Sequence, residues 1–284
     1  MTHKEASVTS FHTNCKKQYG GKFDDTAKKA AIDEFKKRAD VQEVIARLQS
    51  KLSNVQSIGF EHLKLLAKAC SFSHALYDKY GPLCSLMTAD DYELMDLFAD
   101  IDDYYGDAHG ASNITTKMPC AVLDDFFESL REVSVSVNNG QPIVNKPAVL
   151  RFSHAGAIKP LIAHLRLFND EPAKMSASSL SPSAQRKWHS SRISPFAANV
   201  WFILLVKDKK LEKAIKKSEK KGKSYELDES DLYVATLVNE RLVNLPECEG
   251  DDGLCKLKSF RKREEKNFGK DGCNLDSFCR KPNA

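Results

Sequence analysis

The segment Leu150-Arg151-Phe152-Ser153-His154-Ala155-Gly156 has the residue types of an oxyanion site. A short apolar run with β-formers, Ala148 to Phe152, passes directly into the helical pattern Ile158, Leu161, Ile162, Leu165 and Phe168. A strand-to-helix turn is therefore expected at His154. Open α/β sheets bind ligands at the carboxyl ends of their strands. An imidazole placed there, beside the first amides of a helix, can donate hydrogen bonds to a phosphate, and the helix dipole adds modest attraction for the anion. His154 is the candidate phosphate-binding residue, although a lone histidine is more often structural.

The other reactive residue types carry less. Among eight histidines only His109 precedes a glycine. It lies in Asp107-Ala108-His109-Gly110-Ala111-Ser112, a helical stretch without arginine, and is expected to be structural. Arg192, in Ser190-Ser191-Arg192-Ile193, reads as a structural ion pair in preference to a substrate contact. From Lys207 to Lys223 nine lysines stand against Asp208, Glu212 and Glu219. The bland reading is a solvated surface excursion with a weak apolar stripe of Leu211, Ala214 and Ile215. Phosphate-rich ligands are the alternative. Nucleic acid is not expected, since no aromatic residue is interleaved for base stacking.

Eight cysteines occur and no Cys-x-x-Cys, which disfavours a zinc ribbon. Cys70 and Cys84 bracket the end of a helix, Cys248 and Cys255 flank a short loop, and Cys273 and Cys279 are close near the C-terminus, so all six read as local staples. Disulfides and the sequon at Asn113 favour an oxidising compartment and a glycoprotein. The N-terminal residues contain no apolar run of the kind a secretory signal needs. No transmembrane segment is expected either, because the longest apolar run, Phe196 to Val206, is about half the roughly 20 residues of a spanning helix.

A chain of 284 residues with 42% hydrophobic content suffices for one large or two modest cores. Asp25 and Asp40 are expected to cap two helices, a third covers Phe60 to about Tyr77, and Thr88 with Asp91 resembles a capping box for a fourth. A fifth carries Val122, Leu123, Phe126, Phe127 and Leu130. After the turn-rich Asn138-Asn139-Gly140-Gln141-Pro142 come the apolar strands Val200 to Val206 and Leu232 to Val238. The pattern predicts a lead-in over 1–20, a helical subdomain over 21–137 and an α/β sheet core over 138–284.

Arg151-Phe152-Ser153-His154-Ala155 and, further on, Ser190-Ser191-Arg192-Ile193-Ser194-Pro195-Phe196-Ala197-Ala198-Asn199 resemble consecutive signature segments of the multiple inositol polyphosphate phosphatases, a branch of the histidine acid phosphatases. Leu237-Val238-Asn239-Glu240, Leu245-Pro246-Glu247-Cys248 and Leu254-Cys255 are similar to that family's last strand and the cysteine-bracketed loop after it. Phe11-His12-Thr13-Asn14-Cys15 and the helices that follow resemble its helical subdomain. The resemblance implies an α/β fold: an incomplete histidine-phosphatase sheet domain with an all-helical subdomain.

It also implies a chemistry. In the family, a histidine of an Arg-His-Gly-x-Arg-x-Pro motif attacks phosphorus while arginines hold the phosphate oxygens. A second histidine, in His-Ala-Glu, contacts the phosphate, and its neighbouring glutamate protonates the leaving alkoxide. His154 matches the second histidine. Gly156 occupies the proton-donor position and cannot ionise, and the nucleophile motif does not occur in these residues. Expected ligands are inositol polyphosphates or other phosphomonoesters such as bisphosphoglycerate. No cofactor or metal is implied, and the family setting is the endoplasmic reticulum lumen or secretion. Two readings follow: an inositol polyphosphate phosphatase homologue that is inactive as this chain, or a non-catalytic phosphate-binding or interaction protein.

Overall fold

A computed structural model describes residues 8–18, 25–52, 54–130, 133–138, 141–145, 147–223, 225–268, 273–275 and 279. The helices are α1 (Phe11–Gln18), α2 (Thr26–Lys36), α3 (Ala39–Lys51), α4 (Phe60–Tyr77), α5 (Ala89–Asp107), α6 (Asn113–Lys117), α7 (Cys120–Leu130), α8 (Ala155–His164), α9 (Ser190–Ile193), α10 (Asp208–Lys221) and α11 (Leu257–Phe268). The strands are β1 (Ser134–Asn138), β2 (Gln141–Val144), β3 (Val200–Val206), β4 (Tyr225–Glu226), β5 (Leu232–Val238), β6 (Arg241–Val243) and β7 (Leu254–Lys256). Two units form: Asp24–Ser112 with Phe168–Pro195, and Met1–Phe23 with Asn113–Leu167 and Phe196–Ala284. Both are discontinuous in sequence, whereas the apolar pattern suggested the contiguous segments 21–137 and 138–284.

In the helical unit each long helix buries one stripe. Phe35, Val41, Leu48, Leu63, Leu97 and Ile101 are at most 1% exposed, and the rings of Phe35, Phe60 and Phe98 meet at centroid distances of 4.9 to 6.1 Å. The expected capping box is present: Thr88 Oγ1 accepts from the Asp91 amide at 3.3 Å and the Asp91 carboxylate accepts from the Thr88 amide at 2.6 Å. Asp40 does not cap α3. It lies inside the first turn, where two hydrogen bonds from Arg38 hold its carboxylate. Cys70 and Cys84 are bonded, with Cα atoms 5.3 Å apart. The stretch from Phe168 is pinned by Asp170, whose carboxylate accepts from the amides of Lys187 and Trp188, both at 2.8 Å. His109 packs edge-on against the buried Trp188 at 5.6 Å, the structural role expected for it.

In the sheet unit β5 pairs antiparallel with β3 along one edge and with β6 and β7 along the other. Phe202 of β3 meets Phe126 of α7 at 5.0 Å and Phe260 of α11 at 5.9 Å, which covers one face of the sheet. Helix α7 was expected to close the helical block. Its apolar stripe turns to the sheet instead, where Phe126 and Phe127 find aromatic partners. The opposite face stays open, with Trp201, Ile203, Leu205 and Leu242 between 38% and 51% exposed. A smaller antiparallel sheet runs in the order β2-β1-β4.

The expected strand from Ala148 to Phe152 does not form. The segment has no regular secondary structure and pairs with no described strand, and Leu150 and Phe152 are 62% and 84% exposed. Strand propensity is realised only where a neighbour completes the hydrogen-bond ladder. The cysteine pattern is also only partly local. Cys248 pairs with Cys255, but Cys273 pairs with Cys120 and Cys279 with Cys15, so the tail is tied to α7 and α1. No described helix is long and apolar enough to cross a membrane.

Candidate functional site

His154 is the N-cap of α8, with the extended backbone angles φ −145° and ψ 178° of a residue about to enter a helix. Its Nδ1 accepts from the Gly156 amide at 3.1 Å. A neutral imidazole that accepts through Nδ1 carries its proton on Nε2. The ring is exposed, so Nε2–H is a donor beside the first turn of a ten-residue helix. The far end of that helix is fixed by a buried cluster. His164 contacts the Thr116 carbonyl through Nδ1 at 2.8 Å and the Glu264 carboxylate through Nε2 at 2.7 Å, and Arg263 bonds both Glu264 and, at 2.9 Å, the Leu165 carbonyl.

Three neighbours of His154 shape what it can do. The ring of His12, from α1, stands edge-to-face against it with centroids 4.3 Å apart. Ser153 Oγ donates to the Thr9 carbonyl, which ties the turn to the same N-terminal element. Arg151 is engaged: Nε and Nη2 each reach the Asp125 carboxylate at 3.1 Å, so its fork already holds a carboxylate. Gly156 sits close beneath the imidazoles. A Cβ there would lie 3.0 Å from His154 Cε1 and 3.5 Å from His12 Cδ2.

The arrangement offers an anion a histidine donor at a helix N-terminus, and no carboxyl group at position 156; the Gly156 amide is taken by His154 Nδ1 and the Ala157 amide by the His154 carbonyl. His12 was quoted only as part of a resemblance and was not read as a site residue. Nothing local in the sequence brings it to His154, since α1 is held by packing on α8 and by the bond from Cys15 to Cys279. Arg192 is exposed on α9, and Asn113 is exposed at the start of α6.

A second cluster lies in the helical unit. Asp96, Asp100 and His189 bring one ligand atom each within 4.8 Å of one another. Arg186 already engages both carboxylates, with Nε at 2.5 Å from Asp100 and Nη2 at 3.7 Å from Asp96. Burial pushes the Asp100 carboxyl up to about 6, against the lowering influence of the Ser190 amide and Arg186. Burial and the neighbouring Arg186 and Arg192 lower the basicity of His189. This is the donor set of an internal ion pair between Arg186 and the two carboxylates.

Comparison with known proteins matches the chain to a family. A family model described as histidine phosphatase superfamily (branch 2) matches residues 1–225. Multiple inositol polyphosphate phosphatase 1 of Gallus gallus is 26% identical over 209 residues, covering 73% of this chain and 46% of that protein. Its counterpart in Homo sapiens is 25% identical over 174 residues, covering 61% and 35%. Phytase A of Neurospora crassa is 27% identical over 229 residues, covering 70% and 42%. The crystal structure of the phytase from D. castellii superposes with a TM-score of 0.63 at 15% identity, over 99% of this chain and 52% of that one. The chain thus spans about half or less of the length of these relatives.

Proposed function

The chain belongs to branch 2 of the histidine phosphatase superfamily, and from that premise we propose that these 284 residues form an inositol polyphosphate phosphatase homologue that holds phosphate at His154 without hydrolysing it. The observation that carries the reading is the pairing of His154 with Gly156. His154 presents Nε2–H at the N-terminus of α8, while the residue two positions on has no group that can protonate a leaving alkoxide. Ligands of the proposed site are inositol polyphosphates and related phosphomonoesters, the substrate class named for the relatives.

The division between binding and turnover follows from the chemistry. Phosphoryl transfer to a histidine breaks the P–O bond to the alcohol, and the departing alkoxide must take a proton. Loss of that acid alone costs on the order of 10²- to 10⁴-fold in rate. The residues here also contain no Arg-His-Gly sequence to supply the attacking imidazole and its arginines. Donors fixed at an anion are independent of both and retain binding. Four disulfides, with no free cysteine among the described residues, support a lumenal or secreted setting.

The test is calorimetric titration of inositol hexakisphosphate into the chain, His154→Ala and His154→Asp. Both substitutions are expected to abolish the binding. Aspartate keeps a capping acceptor and leaves stability near the starting value, whereas alanine costs about 1 kcal/mol of it. Undiminished binding by His154→Asp would remove His154 from the site.

A further inference from the structure

Helix α10 (Asp208–Lys221) has two sides with different occupations. Ala214 and Ser218 are buried and Leu211 and Ile215 half-buried, where the helix packs on β1 and β4. Two of its lysines have partners: Lys210 pairs with Asp231 at 2.9 Å, and Lys217 donates to the Tyr225 hydroxyl at 3.0 Å while lying over that ring. Lys209, Lys213, Lys216 and Lys220 recur at the spacing of one helical face, and all four are exposed. Among the described residues none of the four has a hydrogen bond, an ion pair or a ring contact. They form a straight row about 16 Å long at a rise of ~1.5 Å per residue. An open surface depression of about 370 Å³ lies among Lys209, Glu212, Lys213, Lys216, Lys217 and Lys220, so that one carboxylate stands among five lysines.

Charge is concentrated here. Residues 207–223 carry a net +6 against +4 for the whole chain, which leaves the remaining residues at −2. Like charges at successive turns of a helix destabilise it, so the row stands at a cost to the element that bears it.

We propose that the row Lys209, Lys213, Lys216 and Lys220 is a binding site for a linear sulfated polysaccharide. Its straightness suits a rod of regularly repeated charges. Its lysines are point charges on flexible stems, which tolerate the variable spacing of sulfate groups and do not require bidentate geometry. No aromatic side chain lies in the row for a base to stack on, which argues against single-stranded nucleic acid. The apolar residues of α10 are turned to the sheet and are not free to enter a bilayer. Anionic lipid is enriched on cytoplasmic leaflets, and four disulfides fit the other side of the membrane.

The experiment compares heparin affinity for the full chain, for Lys209→Gln/Lys213→Gln/Lys216→Gln/Lys220→Gln, and for a control of equal charge change, Lys29→Gln/Lys37→Gln/Lys51→Gln/Lys79→Gln, whose four positions are exposed in the helical unit. The expected result is salt-sensitive binding that weakens by roughly 600-fold in the row variant, at roughly a factor of five per lysine, and less than about threefold in the control, where only long-range screened charge is lost. Equal weakening in both variants would overturn the proposal, because net charge would then account for the binding. Absence of heparin binding by the unmodified chain would overturn it as well. So would row-dependent binding to phosphatidylserine vesicles that exceeds binding to heparin. All positions are exposed, and matching thermal unfolding of the three proteins is the check that affinity is compared between equally folded chains.

Discussion

The imidazole of His12 stands edge-to-face on that of His154, with centroids 4.3 Å apart and planes at 86°, although 142 positions separate the two residues. His154 owes its place to local structure, as the cap of α8. His12 owes its place to tertiary structure, through Phe11 and Cys15 in a small core with Met118, Ala157 and Cys279. The candidate anion site is therefore built on the C-terminal tail as well as on the turn that carries its histidine.

Cys279→Ser removes the tether between the tail and α1. Loss of a native disulfide of this kind costs about 2 to 5 kcal/mol. Urea unfolding is expected to show that loss, and inositol hexakisphosphate affinity is expected to fall even where the chain remains folded, as His12 leaves His154. Unchanged affinity would show that His12 is not part of the site.

Asp125 holds both arms of Arg151 next to the candidate site. The pair is partly exposed, with Arg151 at 40% and Asp125 at 15%, so Asp125→Asn should change stability by no more than about 1 kcal/mol. It releases a guanidinium and removes a carboxylate, and both changes favour an anion. Calorimetry should show phosphate-ester affinity several-fold higher in the variant. A decrease would place Asp125, with its arginine, on the side of binding.

Asp100 gives the helical unit a pH dependence. Its folded carboxyl titrates near 6, raised above the ordinary 3.8 mainly by burial. A raised carboxyl contributes stability that is fully present below its unfolded value and is lost as pH climbs through its folded value. Lowering the pH from 7.5 to 4.5 should therefore stabilise the chain through this group, by an amount on the order of 2 kcal/mol. Other carboxylates act in the opposite sense, so the comparison is with Asp100→Asn, in which this component is absent. Urea midpoints for the two proteins that run parallel between pH 7.5 and 4.5 would contradict the assignment.

What the sequence disclosed was what short segments decide alone. Helix α4 falls on Phe60–Tyr77 as its apolar period indicates, Thr88 and Asp91 form their box, and the weak stripe of Leu211, Ala214 and Ile215 does seat the lysine-rich helix. The turn at His154 was legible because a cap and its helix are consecutive. Features that depend on distant partners were not. Ala148 to Phe152 has strand composition but finds no ladder among the described residues. Helix α7 has an apolar stripe that fits a bundle as well as a sheet, and aromatic partners on β3 and α11 decide between them. Proximity in sequence misdirected the reading of Cys273 and Cys279, which bond 153 and 264 positions away. The site's second imidazole was hidden for the same reason.

The central claim is that the chain binds a phosphate ester at His154 and does not hydrolyse it. It is tested most directly by following phosphate release from inositol hexakisphosphate, for the purified 284-residue chain and for Gly156→Glu. Position 156 can take the new Cβ if the His154 ring yields by a few tenths of an ångström, so the variant should fold. The predicted result is release at the buffer rate by both proteins, since a restored acid has no histidine nucleophile to serve. Release above that rate by the unmodified chain would contradict the account.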